Sequence, residues 1–223
     1  MSASPGKPDL YRFRFDAAEQ ARKAAVWRVL VKHFFQRFVR EQDVVLDVGC
    51  GFGEFLNHLR AARRIGLDLD PLAREHLAPG VEFHRVSALD LGVFPESSVD
   101  VVFCSNVLEH LPRKSAVEDF LAGARRVLRP GGALLVMGPN IRCTGGAYWD
   151  FWDHHTPITE RSLVEAMHLQ GLRADLCVAR FLPYATKSSL PQHPSLVRLY
   201  LALPWAWRMM GRQFLVRGIR DSA

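Results

Sequence analysis

An α/β fold built on a doubly wound, mostly parallel sheet is predicted by three observations. Short β-branched runs alternate with stretches of helical period. The first such run stops at a cluster of glycines, where doubly wound sheets hold their ligands. The chain has 223 residues, 48% apolar and 23% charged, which suits one globular core and not a disordered or fibrous chain.

Each element follows from local pattern. Over 16–40, Val26, Leu30, Phe34 and Phe38 share a stripe with Trp27 and Val31 beside it, an amphipathic helix with a basic outer face. Asp43-Val44-Val45-Leu46-Asp47-Val48 then reads as a buried parallel strand. A helix over 54–62, a strand over 64–69, a short helix over 71–77, and strands over 81–86 and 98–104 continue the alternation. The helix over 114–128 buries Val117, Phe120, Leu121, Ala124 and Leu128, and Arg129-Pro130-Gly131-Gly132 stops it before a strand over 133–137. Thr159, or failing that Ser162, caps a helix reaching Leu169, and Gly171 closes it. Runs over 172–181 and 213–219 complete seven strands, the last two as an antiparallel pair at one edge. A single domain is expected over 1–223: a helical cap over 1–42, a ligand-binding core over 43–138 and a substrate-side region over 139–223. Within the last, 183–212 is rich in Pro, Leu and Trp and reads as an insertion.

Composition narrows the function classes. No apolar stretch reaches the roughly 20 residues of a membrane-spanning helix. Residues 1–10 carry Pro5, Gly6, Pro8 and Asp9 without an apolar run, so no leader is expected. Cys50, Cys104, Cys143 and Cys177 stand far apart with no C-x-x-C pair, which argues against a zinc site or disulfide framework and for a reducing cytoplasm. The net charge of +6 is uneven: seven basic residues and no acidic one lie from Leu176 to Arg220, leaving −1 on the rest. Such a tail suits nucleic acid, anionic lipid or an acidic substrate, and equally an ordinary solvated surface.

The glycine loop, Asp47-Val48-Gly49-Cys50-Gly51-Phe52-Gly53-Glu54, is the most informative stretch. A dinucleotide fingerprint needs a third glycine where Glu54 stands, and a helix N-terminus facing pyrophosphate. Asp47 and Glu54 would repel that group, so the loop disfavours NAD. It suits an adenosine ligand that lacks phosphates and carries positive charge, as S-adenosylmethionine does on its sulfonium and ammonium. Asp68 lies nineteen residues after Gly49, at the end of the second strand, where a carboxylate accepts from both ribose hydroxyls; Asp70 reads as the cap of the next helix.

The loop, Gly66-Leu67-Asp68-Leu69-Asp70, Phe94-Pro95-Glu96-Ser97-Ser98-Val99-Asp100, Ser105-Asn106-Val107-Leu108-Glu109-His110-Leu111 and Arg126-Val127-Leu128-Arg129-Pro130-Gly131-Gly132 together resemble a class I S-adenosylmethionine-dependent methyltransferase. The likeness covers about 43–138, and residues 149–163 more weakly resemble small-molecule enzymes found beside sugar, polysaccharide or secondary-metabolite genes. It implies a Rossmann-like sheet, S-adenosylmethionine as cofactor and S-adenosylhomocysteine as product. Gly49, Cys50, Gly51 and Gly53 would lie against the methionine moiety, with Asp47 helping to hold its ammonium. Asp68 would bind ribose, Leu69 would pack on adenine, and Ser87, Ala88 and Leu89 would frame the adenine edge. Relatives often carry an acid where Ser87 stands; here its hydroxyl or Asp90 would take that part. Ser105 and Asn106 would stand beside the reacting methyl.

In-line methyl transfer needs an aligned nucleophile and, for an alcohol, a base. Tyr148-Trp149-Asp150-Phe151-Trp152-Asp153-His154-His155 follows the fifth strand. His154 is expected to be the base, Asp153 or Asp150 its orienting carboxylate and His155 the reserve; His110, Asn140, Tyr148, Trp149 and Trp152 are expected to contact substrate. No metal is expected, because the adjacent donors Asp150, Asp153, His154 and His155 seldom converge on one ion. Cys104 reads as a buried structural thiol. The segment after the fourth strand lacks the Asp/Asn-Pro-Pro-aromatic motif of exocyclic base methylation, so DNA is not an expected partner.

The stretch 196–212 carries Leu199, Trp205, Trp207 and Met209 among Arg198, Arg208 and Arg212. A lid, a peripheral membrane contact and a dimer contact are all open for it, and the chain is expected as monomer or homodimer. The resulting expectation is a cytoplasmic biosynthetic enzyme that O-methylates a small-molecule or lipid-linked acceptor. An RNA methyltransferase and a non-catalytic cofactor-binding protein are the alternatives.

Overall fold

The computed structural model describes residues 17–184 and 193–221. The stretch 1–10, where no leader is expected, and residues 185–192 of the expected insertion lie outside them. Seven strands form one sheet in the order β3-β2-β1-β4-β5-β7-β6. β1 (Val44–Val48), β2 (Arg63–Leu67), β3 (Val81–His84), β4 (Val99–Ser105) and β5 (Leu128–Pro139) pair in parallel. β7 (Gln213–Arg220) runs antiparallel between β5 and β6 (Leu172–Val178), so the expected antiparallel strand lies one place inside the edge.

Strand order reverses at β1, which has β2 on one side and β4 on the other, and the crevice there is the ligand position of such sheets. Register aligns Val48 with Leu67 and Cys104, and Leu67 with His84, so four strands end at one level. The loops that follow them converge.

Each face of the sheet has its own apolar layer. On one, α3 (Lys114–Val127) and α5 (Glu160–Leu169) bury Phe120, Leu121, Leu163 and Met167 against Leu46, Val102 and Val136. On the other, α1 (Ala17–His33), α6 (Pro194–Ala202) and α7 (Pro204–Met210) cover Val45, Phe103 and Leu135. Phe35 is the hub of that second layer, with the rings of Trp27, Phe34, Phe55, Phe103 and Phe181 at 5.2–6.0 Å.

Several expected elements differ, for local reasons. The helix expected over 16–40 ends at His33, and Phe35–Phe38 forms a 3₁₀ turn. The helix expected over 54–62 is a single 3₁₀ turn, Leu56–His58. Its backbone is bonded elsewhere: the Gln36 amide donates to Arg60 O and accepts from Arg60 N–H, both at 2.9 Å, and Ala62 N–H donates to Asp43 O at 3.1 Å. The helix over 71–77 shrinks to α2 (Ala73–His76). β5 starts at Leu128, before the expected Gly131-Gly132 break, because Leu128 already pairs with Val99. At Thr159 the cap forms reciprocally: Thr159 Oγ1 accepts Ser162 N–H and Ser162 Oγ accepts Thr159 N–H, each at 3.0 Å.

Removing the hub ring should leave a cavity between sheet and helices. Phe35→Ala is expected to lower the unfolding free energy in urea by about 3–5 kcal/mol. A loss under about 1 kcal/mol would show that the neighbouring rings close the gap.

Candidate active site

The glycine loop is fastened to the end of β2. Gly49 and Cys50 N–H both donate to Leu67 O, at 2.8 and 3.0 Å, and Gly51 N–H donates to Asp68 Oδ2 at 2.9 Å. Gly49 and Gly53 have φ of +74°, a Cβ at Gly49 would collide with Val107, and one at Gly53 would lie 2.7 Å from Leu77 Cδ2. These amides turn inward and no α-helix follows the loop, so it has no N–H cradle for a diphosphate.

The charge around the loop fits a cation. Burial above all, then the charges of Glu54 and Asp68, hold Asp47 well above the usual carboxylate range. Burial also raises Asp68, against the lowering effect of the Asp70 and Gly51 amides. Glu54 pairs with Lys23 Nζ of α1 at 2.7 Å, so the charge that the sequence argument treats as unopposed has a partner. Burial first, then Asp47, pushes the Cys50 thiol up, and Cys104 is likewise buried with a raised thiol.

The other expected cofactor positions lie at the ends of the same strands. Asp68 Oδ1 accepts Asp70 N–H, and Asp70 Oδ1 accepts Leu72 N–H, both at 2.9 Å, which turns the chain into α2. Leu69 is 64% exposed, and its carbonyl accepts from Arg85 Nε at 3.2 Å. Ser87 Oγ accepts Leu89 N–H at 3.2 Å, while Ala88 packs against the core. Asn106 takes a left-handed φ of +54°, donates from its backbone to Met137 O at 2.9 Å and from Nδ2 to Ser105 Oγ at 3.0 Å.

The loop after β5 is clamped to the turn after β4. His155 and Thr156 N–H donate to Glu109 O at 2.8 and 3.1 Å, Thr156 Oγ1 donates to Leu111 O at 2.6 Å, and Tyr148 Oη donates to Thr156 O. This clamp buries His154, whose ring centre lies 5.0 Å from His110, 5.0 Å from Phe151 and 4.8 Å from Tyr148. His155 points outward, Trp149 is exposed, and Trp152 is 92% exposed.

Three sequence assignments need correction. Asp153 holds the other histidine: His110 Nδ1 lies 2.9 Å from its backbone O and 3.3 Å from Oδ2. Asn140 is a fully buried brace, its amide donating to Glu160 Oε2 at 2.6 Å and Ala179 O at 2.9 Å while its carbonyl accepts Arg142 N–H, so it has nothing left for a substrate. Tyr148 is also fully buried with its hydroxyl spent on Thr156 O, which makes it a wall inside the protein rather than a substrate contact.

Glu109 is the residue sequence reasoning passed over. Burial, with the charge of Asp153 adding to it, pushes its carboxyl up to about 8, so it is largely protonated at neutral pH. The signal was a carboxylate between Leu108 and His110 in an otherwise apolar turn at a strand end. Glu109, His110 and His154 each offer one donor atom, all within 4.8 Å of one another, a set chemically suited to a first-row divalent ion.

A seven-stranded doubly wound sheet with an acid-lined glycine loop at its switch point defines the class: a class I S-adenosylmethionine-dependent methyltransferase domain. Residues 46–136 match the family described as "Methyltransferase domain". The chain is 34% identical over 111 residues to erythromycin 3''-O-methyltransferase of Saccharopolyspora erythraea, covering 44% of this chain and 35% of that protein. It is 37% identical over 97 residues to ubiquinone biosynthesis O-methyltransferase of Pseudomonas syringae pv. tomato, covering 40% of each. The chain thus spans about two-fifths of the length of these curated relatives. The structure of a SAM-dependent methyltransferase from Archaeoglobus fulgidus shares the fold, with a TM-score of 0.68, 17% identity, and coverage of 96% of this chain and 100% of that one.

The raised carboxyls predict a pH signature. The unfolded chain releases these protons at lower pH than the folded apo protein, so apo stability should fall as pH rises above about 4. Asp47→Asn should flatten that slope in thermal unfolding. S-adenosylmethionine should bind with proton release, read by calorimetry in two buffers of different ionisation heat. An unchanged slope and no released proton would contradict this electrostatic account.

Proposed function

We propose that this chain transfers the methyl group of S-adenosylmethionine to a hydroxyl of a small or lipid-linked acceptor, with His154 taking the hydroxyl proton. The observation that carries this reading is the burial of His154 beside Glu109 and His110, at the strand ends where the glycine loop also lies. His155 faces solvent and is poorly placed for the same work. Both named relatives are O-methyltransferases.

Bound S-adenosylmethionine supplies a methyl group already activated by its sulfonium. Asp47 and Asp68 would hold its cationic and ribose portions, and the left-handed Asn106 ends β4 beside them. The chain's remaining work is to align the acceptor oxygen, exclude water and accept one proton. Phe151, stacked on His154, and Tyr148, edge-on to it, limit how far that ring can turn. Asp153 fixes the neighbouring His110, and the protonated Glu109 carboxyl is a hydrogen-bond donor at the same place.

With an acceptor found by screening phenolic, glycosyl and lipid-linked alcohols for S-adenosylhomocysteine release, His154→Gln should lower kcat by roughly 10²–10⁴-fold. Cofactor affinity should stay unchanged, and His155→Gln should remain near the wild type. Full kcat in His154→Gln would overturn the assignment. The donor set of Glu109, His110 and His154 favours a second reading, in which a divalent ion lowers the acceptor pKa. Under that reading EDTA abolishes turnover and added metal restores it, whereas a histidine base is indifferent to the chelator.

A further inference from the structure

The helix pair α6–α7 is two-sided. Leu201 and Ala206 are buried, Trp207 packs on Phe34 and Phe181 at 5.6 and 5.2 Å, and Tyr200 Oη donates to Phe181 O. The outer side carries Leu196, Leu199, Trp205, Met209 and Met210, all exposed; Trp205 is 61% and Met209 73% exposed. Among the described residues, five of the eleven exposed large apolar side chains therefore fall within 15 residues, a patch and not a scatter. In α6, Leu196 and Leu199 are three apart, and in α7 Trp205 and Met209 are four apart, so each pair shares a helix face.

The charge set among these residues has one sign. Arg198, Arg208 and Arg212 are exposed between and beside the apolar residues, and no acidic residue occurs from Leu176 to Arg220. The carboxyl end of α1 extends the cationic area: Lys32 and His33 are exposed there, and burial followed by the charges of Arg198 and Lys32 holds His33 below its ordinary value. A second copy seated here about a twofold axis would set these arginines against their own counterparts with no carboxylate in the patch to answer them. Nucleic acid would match the charge but gains little from exposed Leu and Met side chains. Neither helix is long or apolar enough to cross a bilayer. Trp and Leu at an acyl boundary, with Arg reaching lipid phosphates, satisfy both halves of the pattern.

We propose that the outer face of α6–α7 is a docking surface for an anionic membrane, with Leu199, Trp205 and Met209 entering the interface and Arg198, Arg208 and Arg212 contacting lipid phosphates. The surface is independent of the acceptor chemistry.

The test is co-sedimentation of the full chain with vesicles of phosphatidylcholine alone or mixed with phosphatidylglycerol, at low and high salt. Binding is expected only to the anionic vesicles and should weaken with salt. Arg198→Glu with Arg208→Glu should weaken it by roughly 20-fold or more, at about one kT-scale contact per arginine. Leu199→Glu with Trp205→Glu should abolish it, while cofactor-induced thermal stabilisation stays that of the wild type in both variants. Three outcomes would overturn the proposal: no binding to anionic vesicles, equal binding to both vesicle types, or loss of a dimer in light scattering as the only effect of the Leu199/Trp205 pair. RNA binding that depends on the arginines but not on Leu199 and Trp205, without vesicle binding, would overturn it as well.

Discussion

Two amides on one carbonyl hold the cofactor side of this protein in shape. Gly49 and Cys50 both donate to Leu67 O, and Gly51 donates to the side chain of the next residue but one, Asp68. The loop is thereby tied to the end of β2 instead of running into a helix of its own. Its N–H groups are consumed within the protein, and the residues left facing the crevice are carboxylates. A phosphate would find neither free amides nor a helix dipole there, whereas a cation finds Asp47 and Asp68 held in an unfavourable, partly desolvated state that its own charge relieves. Ligand class thus follows from where three hydrogen bonds go.

The acceptor side depends on a second double acceptance. Glu109 O takes the N–H of both His155 and Thr156, which draws the loop after β5 onto the turn after β4. One consequence is that Ser105 and Asn106 on the cofactor side and His154 on the acceptor side are referred to the same strand end. Another is that Glu109 itself is enclosed, so its carboxyl stays protonated further into neutral pH than an ordinary glutamate. The buried Asn140–Glu160–Arg142 group anchors the start of the same loop from the other direction. Its rigidity is therefore built from polar bonds at both ends, with Tyr148 wedged between.

The sheet was legible because parallel strands bury both faces and leave uninterrupted apolar runs, and because Thr159 and Ser162 spell a cap that needs no tertiary partner. The glycine loop was legible for a similar reason: its acids and glycines act through backbone geometry a few residues away. The missing helix after the loop was not. It is pre-empted by Gln36, 24 residues upstream, whose amide occupies both backbone groups of Arg60. Asn140 and Tyr148 look like substrate contacts in a polar, aromatic stretch, but their polar atoms are spent on Glu160, Ala179 and Thr156, partners that only the folded chain supplies. Asp153 failed in the same way, since adjacency to His154 says nothing about His110 reaching it from another strand. Residue types at a site could be read; which of them face inward could not.

Charge is sorted across the molecule in a way that the net value of +6 conceals. Carboxylates are drawn inward around the glycine loop and the β4 turn, where Asp47, Asp68 and Glu109 are largely removed from water. Arginines of the carboxyl-terminal segment divide between two tasks. Arg217 pairs with Asp175, and Arg220 donates to Leu128 O and Ser97 Oγ, so these two lock β7 into the sheet. Arg198, Arg208 and Arg212 stay at the surface, on and beside the helix pair that covers Phe34 and Phe181. Interior acids cost desolvation that a bound cation offsets, and outward arginines cost nothing in water. The sorting is thus stable only in one direction: exchanging an inner carboxylate for an arginine would set a buried cation against the cofactor, while exchanging an outer arginine for glutamate leaves the fold intact and changes only what the surface attracts.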